Sequence, residues 1–311
     1  MKDYMYISDL EDLDSTIKEA IQLKKSPFEF IDLGKKKTLV LLFFNSSLRT
    51  RLSTEKAAKN LGMEVIILNV SDTWNLEFDN GTVMNLNTSE HVKEAAQVIS
   101  QYADIIAIRS FASLMNKAKD EAEQVLKSFI KYASVPIVNM ESATAHPLQA
   151  LTDAITIEEL KSVKRPKVVL SWAPHPKALP QAVANSFVKM MQTREVDFSM
   201  THPKGYELNS EIVKDTPIYY NQYEALKNAD FVYVKNWSSY SDYGKILSDD
   251  KNWMMTKDKL GDAKFMHCLP VRRNVVVEDT VLESDNSVVI QQANNRTFAA
   301  QIVLKKILEN L

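Results

Sequence analysis

Apolar residues along the 311-residue chain gather into short continuous runs, separated by stretches whose apolar positions recur at helical spacing. Strand-like runs read at 38–44, 64–69, 104–108, 136–139, 167–172, 196–200, 230–234 and 287–291. Runs of this length, apolar on both faces, suit parallel strands covered by helices on each side. Helical patterns separate most neighbours, and the alternation predicts an α/β fold with parallel sheets. After the fourth run, Leu148, Leu151, Ile155 and Leu160 fall on one face of a helix that Arg165 and Pro166 terminate. That helix is read as a bridge between two α/β halves, which gives expected domains of 1–146 and 147–293. In the tail, 294–311, Phe298, Ile302, Val303 and Ile307 predict a last helix packing back on the first half.

Length agrees with two domains of ordinary size. Charged residues make up 25% of the chain and nearly cancel to a net charge of -2, so no electrostatic footprint for nucleic acid exists and any basic site must be local. Cys268 is the sole cysteine, which excludes an internal disulfide. No apolar stretch reaches membrane-spanning length, and the first residues, polar and acidic, do not read as a signal peptide. The cytoplasm is the expected compartment. No G-x-G-x-x-G, G-x-x-x-x-G-K-[ST] or H-E-x-x-H run occurs, and there is no cysteine pair for zinc, so neither the usual nucleotide fingerprints nor a metal site is expected.

The most informative segment is Ser47-Leu48-Arg49-Thr50-Arg51, which follows the first strand and opens a helix with Leu52, Ala57, Ala58 and Leu61 on its expected inner side, stopping at Gly62. Unpaired N–H groups, hydroxyls and guanidiniums converge there, a combination suited to phosphate oxygens. A solvated basic turn that caps a helix is the alternative. In an open parallel sheet, ligands bind beyond the carboxyl ends of the strands. Those ends carry Arg109, then Glu141 and His146, then Pro174-His175-Pro176, Lys235-Asn236-Trp237 and the run 267–273. Any one of them reads equally as a strand reaching water. Together they point to one shared crevice.

Five motifs in order resemble the transcarbamylase family, the aspartate and ornithine carbamoyltransferases: S-x-R-T-R at 47–51, Arg109, H-P-x-Q at 146–149, H-C-L-P at 267–270, and N-x-R ending at Arg296. The resemblance covers nearly the whole chain. It implies that Ser47, Leu48, Arg49, Thr50, Arg109, His146, Gln149 and Arg296 surround carbamoyl phosphate, in a reaction that needs no cofactor and no metal. Donors aimed at the carbamoyl oxygen and the departing phosphate would stabilise the charge that grows there. His146, Arg49, Cys268 and Arg296 are the implied catalytic residues, with Cys268 and the Leu269 carbonyl cradling the attacking δ-amine. From the residues alone, His146 also reads as a buried histidine capping a helix, and Cys268 as an inert small core residue.

The departures narrow the subgroup. The loop 70–75 offers Trp74 where aspartate transcarbamylases carry a lysine, and 235–240 lacks the S-M-G motif of the ornithine enzymes. Together with Pro174–Pro180 and H-C-L-P-V-R-R, this resembles the N-acylornithine transcarbamylases. That likeness implies that Trp74 joins the carbamoyl phosphate site and that Glu141, His175, Lys235 and Arg272 hold the acylornithine backbone, the cations meeting its α-carboxylate. It also implies a homotrimer with shared active sites and a deep knot in the second domain, through a loop at 174–180 that composition alone reads as a stiff connector.

The acyl group turns on Glu90. Within 87–93, Thr88 or Ser89 reads as a helix cap with Glu90 in the first turn, where it could simply complement the helix dipole. By resemblance, succinyl-type enzymes carry proline there and acetyl-type enzymes glutamate, whose charge would repel a succinyl carboxylate. Acetyl-type enzymes also carry a lysine soon after H-C-L-P-V-R-R, and Val275-Val276-Val277 has none. The chain therefore combines a succinyl-type background with an acetyl-type residue, by natural history or by substitution, and N-acetylornithine is the expected acceptor. A transcarbamylase for another amine and a non-catalytic phosphometabolite sensor are the runner-up readings. Retention of H-C-L-P counts against a sensor, which has no use for an amine cradle.

Overall fold

The computed structural model describes residues 1–70 and 74–311. Ser71, Asp72 and Thr73, in the loop that carries Trp74, lie outside the described residues. The chain divides into two compact units, one of Met1–Ser113, Ala118–Leu148 and Arg296–Leu311, the other of Leu114–Lys117 and Gln149–Asn295. Each is an α/β unit built on a parallel sheet.

In the first unit β1 (Thr38–Phe43), β2 (Glu64–Asn69), β5 (Ile105–Arg109) and β6 (Ile137–Glu141) form a sheet of order β2-β1-β5-β6. All three pairings are parallel. Leu39 to Phe43 are at most 2% exposed, as a central strand covered on both faces requires. On one side Val40, Leu42, Ile106 and Ile108 pack with Leu126, Phe129 and Ile137. Two short strands, β3 (Leu76–Glu77) and β4 (Glu90–His91), pair in parallel. Glu90 is therefore in a strand and not in a helical first turn: the next helix, Val92–Ile99, is capped by His91, whose Nδ1 accepts from Lys93 N at 3.2 Å. Pairing with Leu76 holds Glu90 extended, which the cap pattern could not reveal.

The helix Leu48–Asn60 follows β1 with Ser47 as its N-cap. Its inner face is Thr50, Thr54, Ala57 and Ala58, closed by Leu61, while Leu52, expected inside, is 57% exposed. Gly62 ends it at φ +82, with Ile31 O only 1.9 Å from where a Cβ would sit.

The second unit holds β7 (Lys167–Ala173), β8 (Asp197–Thr201), β9 (Ile218–Tyr219), β10 (Phe231–Asn236) and β11 (Lys264–Met266) in the order β11-β10-β7-β8-β9. These pairings too are all parallel. The strand expected at 287–291 is absent. Only Ser287 bridges to Phe265, and a helix, Val289–Leu308, begins two residues later. Three successive apolar residues at its start gave no period to separate strand from helix.

Two helices change unit along their length. Pro147–Leu160 opens in the first unit and continues in the second; Val289–Leu308 does the reverse. Residues 148–157 are all buried, so this helix buries polar side chains as well as apolar ones. In the first unit Phe298, Ile302, Val303 and Ile307 are at most 5% exposed, and Gln301 accepts from Asn60 Nδ2 at 2.9 Å. Among the described residues no helix is long and apolar enough to cross a membrane.

Candidate active site

Each sheet reverses its strand order at its centre, between β1 and β5 in the first unit and between β7 and β10 in the second. Such switch points open a crevice beyond the carboxyl ends of the strands. Predicted site residues collect at both.

In the first unit Arg109, at the end of β5, reaches across to the chain leaving β1. Its Nη1 donates to the carbonyl oxygens of Asn45 at 2.9 Å and Ser46 at 3.1 Å. Asn45 Oδ1 in turn accepts from Phe111 N at 3.0 Å. Glu141, ending β6, receives Arg109 Nε at 3.0 Å and Nη2 at 2.8 Å, and lies 3.9 Å from His146 Nε2. The guanidinium is thus held in a largely buried fork-shaped pair. Ser47 Oγ accepts from Thr50 N at 3.4 Å, and Thr50 Oγ1 accepts from Arg296 Nη2 at 2.8 Å. One helix start, two strand ends with the loop after the second, and the late helix thereby bring Ser47, Thr50, Arg109, His146, Glu141 and Arg296 into two linked groups. Leu48, the first residue of that helix, is 66% exposed. Arg49 is half-buried and Arg51 exposed. Apart from these groups, Trp74 Nε1 donates to Glu90 Oε2 at 2.9 Å.

In the second unit the carboxyl ends of β7 and β10 are tied by Trp237, whose backbone N donates to Ala173 O at 3.1 Å and whose Nε1 donates to His175 O at 3.3 Å. Arg272 Nε donates to His175 Nε2 at 3.1 Å, and the opposite nitrogen, Nδ1, lies 2.7 Å from Lys177 O. The bond from Arg272 requires a bare Nε2, as in a neutral imidazole, and Lys177 N lies 3.1 Å from Nδ1. Partial burial and the nearby Arg272 and Lys235 charges hold its pKa below the ordinary histidine value, against the opposing bond to Lys177 O. Lys235 Nζ lies 3.6 Å from Cys268 Sγ. Leu269 takes a left-handed φ of 54°, and its N–H donates to His267 Nδ1 at 2.8 Å. Gln149 belongs to this unit, its Nε2 donating to Asp153 Oδ1 at 2.7 Å. Tyr233 is fully buried; burial first, then the neighbouring Asp153 and Cys268, push its phenol well above the ordinary tyrosine value.

Sequence reasoning missed several supports. Glu123, at a left-handed φ of 48°, accepts from Ser142 Oγ, from Thr144 N at 3.0 Å and from Thr144 Oγ1 at 2.7 Å, which fixes the loop between Glu141 and His146. No sequence signal marks it. Asn45 and Asp153 were findable, one beside the phosphate-like motif, the other one helical turn after Gln149.

The pattern described as the aspartate/ornithine carbamoyltransferase carbamoyl-P binding domain matches residues 2–159, and the Asp/Orn binding domain of the same family matches residues 180–307. The chain belongs to the aspartate/ornithine carbamoyltransferase family. N-succinylornithine carbamoyltransferase of Bacteroides fragilis is 48% identical to this carbamoyltransferase over the whole of both chains. N-acetylornithine carbamoyltransferase of Xanthomonas campestris is 33% identical over 96% of this chain and 94% of its own. Among solved structures, acetylornithine transcarbamylase complexed with acetylcitrulline superposes with a TM-score of 0.91 at 32% identity, covering 99% of each chain. A single-glutamate variant of N-acetyl-L-ornithine transcarbamylase, complexed with carbamyl phosphate and N-succinyl-L-norvaline, gives 0.92 at 32% identity, covering 99% of this chain and all of the other.

Proposed function

We propose that the chain transfers the carbamoyl group of carbamoyl phosphate to the δ-amine of an N-acylated ornithine, giving N-acylcitrulline and phosphate in amino-acid biosynthesis. The observation that carries this reading is that Thr50 joins Ser47 to Arg296 at a helix start while Arg109 holds the chain just before it through the Asn45 and Ser46 carbonyls, a set of hydroxyl and guanidinium donors at the first switch point. Such donors suit a phosphate that gains charge as it leaves.

The neutral δ-amine attacks the carbamoyl carbon, a C–N bond forms, and the C–O bond to phosphate breaks with its electron pair leaving on phosphate. Arg49, Arg109 and Arg296 take up that charge, with Ser47, Thr50 and the Leu48 backbone. His146 donates to the carbamoyl oxygen, and Gln149 reads the carbamoyl NH2. Cys268 and the Leu269 carbonyl orient the amine, whose proton departs with the phosphate. His175, Lys235 and Arg272 hold the acceptor's α-carboxylate. Glu141, which the resemblance gives to the acceptor, bonds Arg109 through two nitrogens, and this supports a role in aiming that guanidinium.

Glu90 is the determinant of the acyl group, and it favours acetyl. The relatives at 48% identity are N-succinylornithine enzymes, so the background is succinyl-type. Variants of N-acetyl-L-ornithine transcarbamylase in which one glutamate becomes alanine, valine, proline or serine have been solved with N-succinyl-L-norvaline, which supports a glutamate as the group that turns succinyl away. Trp74 and Glu90, joined by their hydrogen bond, are assigned to a neighbouring copy's site within a homotrimer, and 174–180 to a loop threaded by later chain; the contacts of His175 with Trp237 and Arg272 support the latter.

Steady-state rates with N-acetyl- and N-succinylornithine test the acceptor. N-acetylornithine should be preferred, and Glu90→Pro should reverse the order. A preference for N-succinylornithine in the unsubstituted chain sinks the Glu90 assignment, and no phosphate release with either acceptor sinks the function. Light scattering tests the trimer.

A further inference from the structure

Asp153 is 0% exposed, and it sits between two glutamines that are each 1% exposed. Gln149 Nε2 and Gln292 Nε2 both donate to its Oδ1, each at 2.7 Å. Gln292 uses its other end as well: Oε1 accepts from the backbone N of His267 at 2.9 Å. Burying a carboxylate is costly unless its bonds are made, and packing the helix Pro147–Leu160 does not require one. Within that helix Gln149 and Asp153 stand four residues apart on one face. One carboxylate oxygen thus ties the last residue of H-P-x-Q to the first residue of H-C-L-P.

We infer that Asp153 is a positioning residue, which fixes the direction of the Gln149 amide so that the site tells a carbamoyl NH2 from a methyl, and which holds the start of H-C-L-P through Gln292. The inference rests on the function proposed above. The two ends of a side-chain amide are nearly equal in shape but opposite in hydrogen bonding. Because Oδ1 accepts, Gln149 must turn its NH2 toward Asp153, and its oxygen is the end directed away. A carbamoyl nitrogen carries only donors and is matched by that oxygen. If the amide were released to flip, it would present N–H to N–H, and the selectivity for carbamoyl would go.

Calorimetric titration of the full chain with carbamoyl phosphate and with acetyl phosphate, in which CH3 replaces NH2, reads this directly as a ratio of dissociation constants. The unsubstituted chain should favour carbamoyl phosphate by about tenfold, the worth of one well-placed hydrogen bond. Asp153→Leu removes the acceptor and should bring the ratio near unity, with acetyl phosphate affinity changed by less than about threefold. Asp153→Asn keeps an accepting oxygen and should retain most of the ratio. Gln292→Met leaves the Gln149 bond intact, so it should preserve the ratio while raising KM for the amine acceptor. A role confined to packing weakens both phosphates alike, and an unchanged ratio in Asp153→Leu with native near-UV circular dichroism overturns the inference. If Asp153→Leu does not fold, loss of the ratio in Gln292→Met, or an unchanged acceptor KM there, overturns it instead. Failure of the unsubstituted chain to release phosphate from carbamoyl phosphate and acceptor overturns the functional reading itself; activity with an unaltered ratio overturns only the role of Asp153.

Discussion

Arg296 and Arg109 show how a single guanidinium is made directional. Both are at most 8% exposed and both spend part of their donor fork on the protein, on Thr50 in one case and on Glu141, Asn45 and Ser46 in the other. Charge held in that way needs little reorganisation when a phosphate arrives. Arg49 is less enclosed, and Arg49→Ala should weaken carbamoyl phosphate binding by about 2–5 kcal/mol, the cost of truncating one partner of a desolvated charged contact. Near-normal affinity by calorimetry would remove Arg49 from the donor site. His175 gives a pH prediction. Its folded-state pKa lies below the unfolded value of 6.5, so the unfolded chain binds the proton more readily and stability falls as pH drops from 6.5 through the folded value. His175→Asn should flatten that part of the profile in chemical denaturation; an equally steep profile would assign the loss to other groups.

Among elements, seven of the eight expected strands and the body of the late helix were written plainly in the sequence, because long apolar runs and i, i+4 spacings have few alternatives, whereas the short run at 287–291 did not separate a strand from a helix start. The failures lie where tertiary pairing overrides a local pattern. Glu90 carries a convincing helix-start context yet is extended, since Leu76 pairs with it across fourteen residues of chain that no local rule connects. Leu52, expected on the inner side of its helix, faces outward, and the smaller Thr54 and Ala58 are buried there instead. Gly62 marks the helix stop in the sequence, and the structure supplies the reason: a positive φ and a neighbouring carbonyl where a side chain would begin. Gly62→Ala should therefore destabilise the first unit by about 1–3 kcal/mol or more, the usual cost of a strained backbone position. A melting temperature within a degree of the parent would contradict that close approach.

At the scale of the whole molecule, most residues that meet at the first switch point were legible because motifs place them at or just after strand ends, where ligands of parallel sheets bind. The supporting residues Glu123 and Gln292 were not: they act through polar contacts inside the protein, a role that composition and period do not distinguish from ordinary helix or loop chemistry. The two units also differ in how the chain builds them. Stopping the chain after Asn295 removes Phe298, Ile302, Val303 and Ile307 from the first unit's core and Arg296 from Thr50. Hydrogen exchange should then show lost protection in β1 and the helix Leu48–Asn60, with β7 and β10 largely unaffected; uniform loss across both sheets would contradict the division.

That discontinuity also orders events on the ribosome. Arg296 is translated only after every residue of the second unit, Gln149–Asn295, has been made. Domains tend to fold as their residues emerge, so a growing chain acquires its lysine- and cysteine-bearing cluster first and completes its arginine-bearing cluster last.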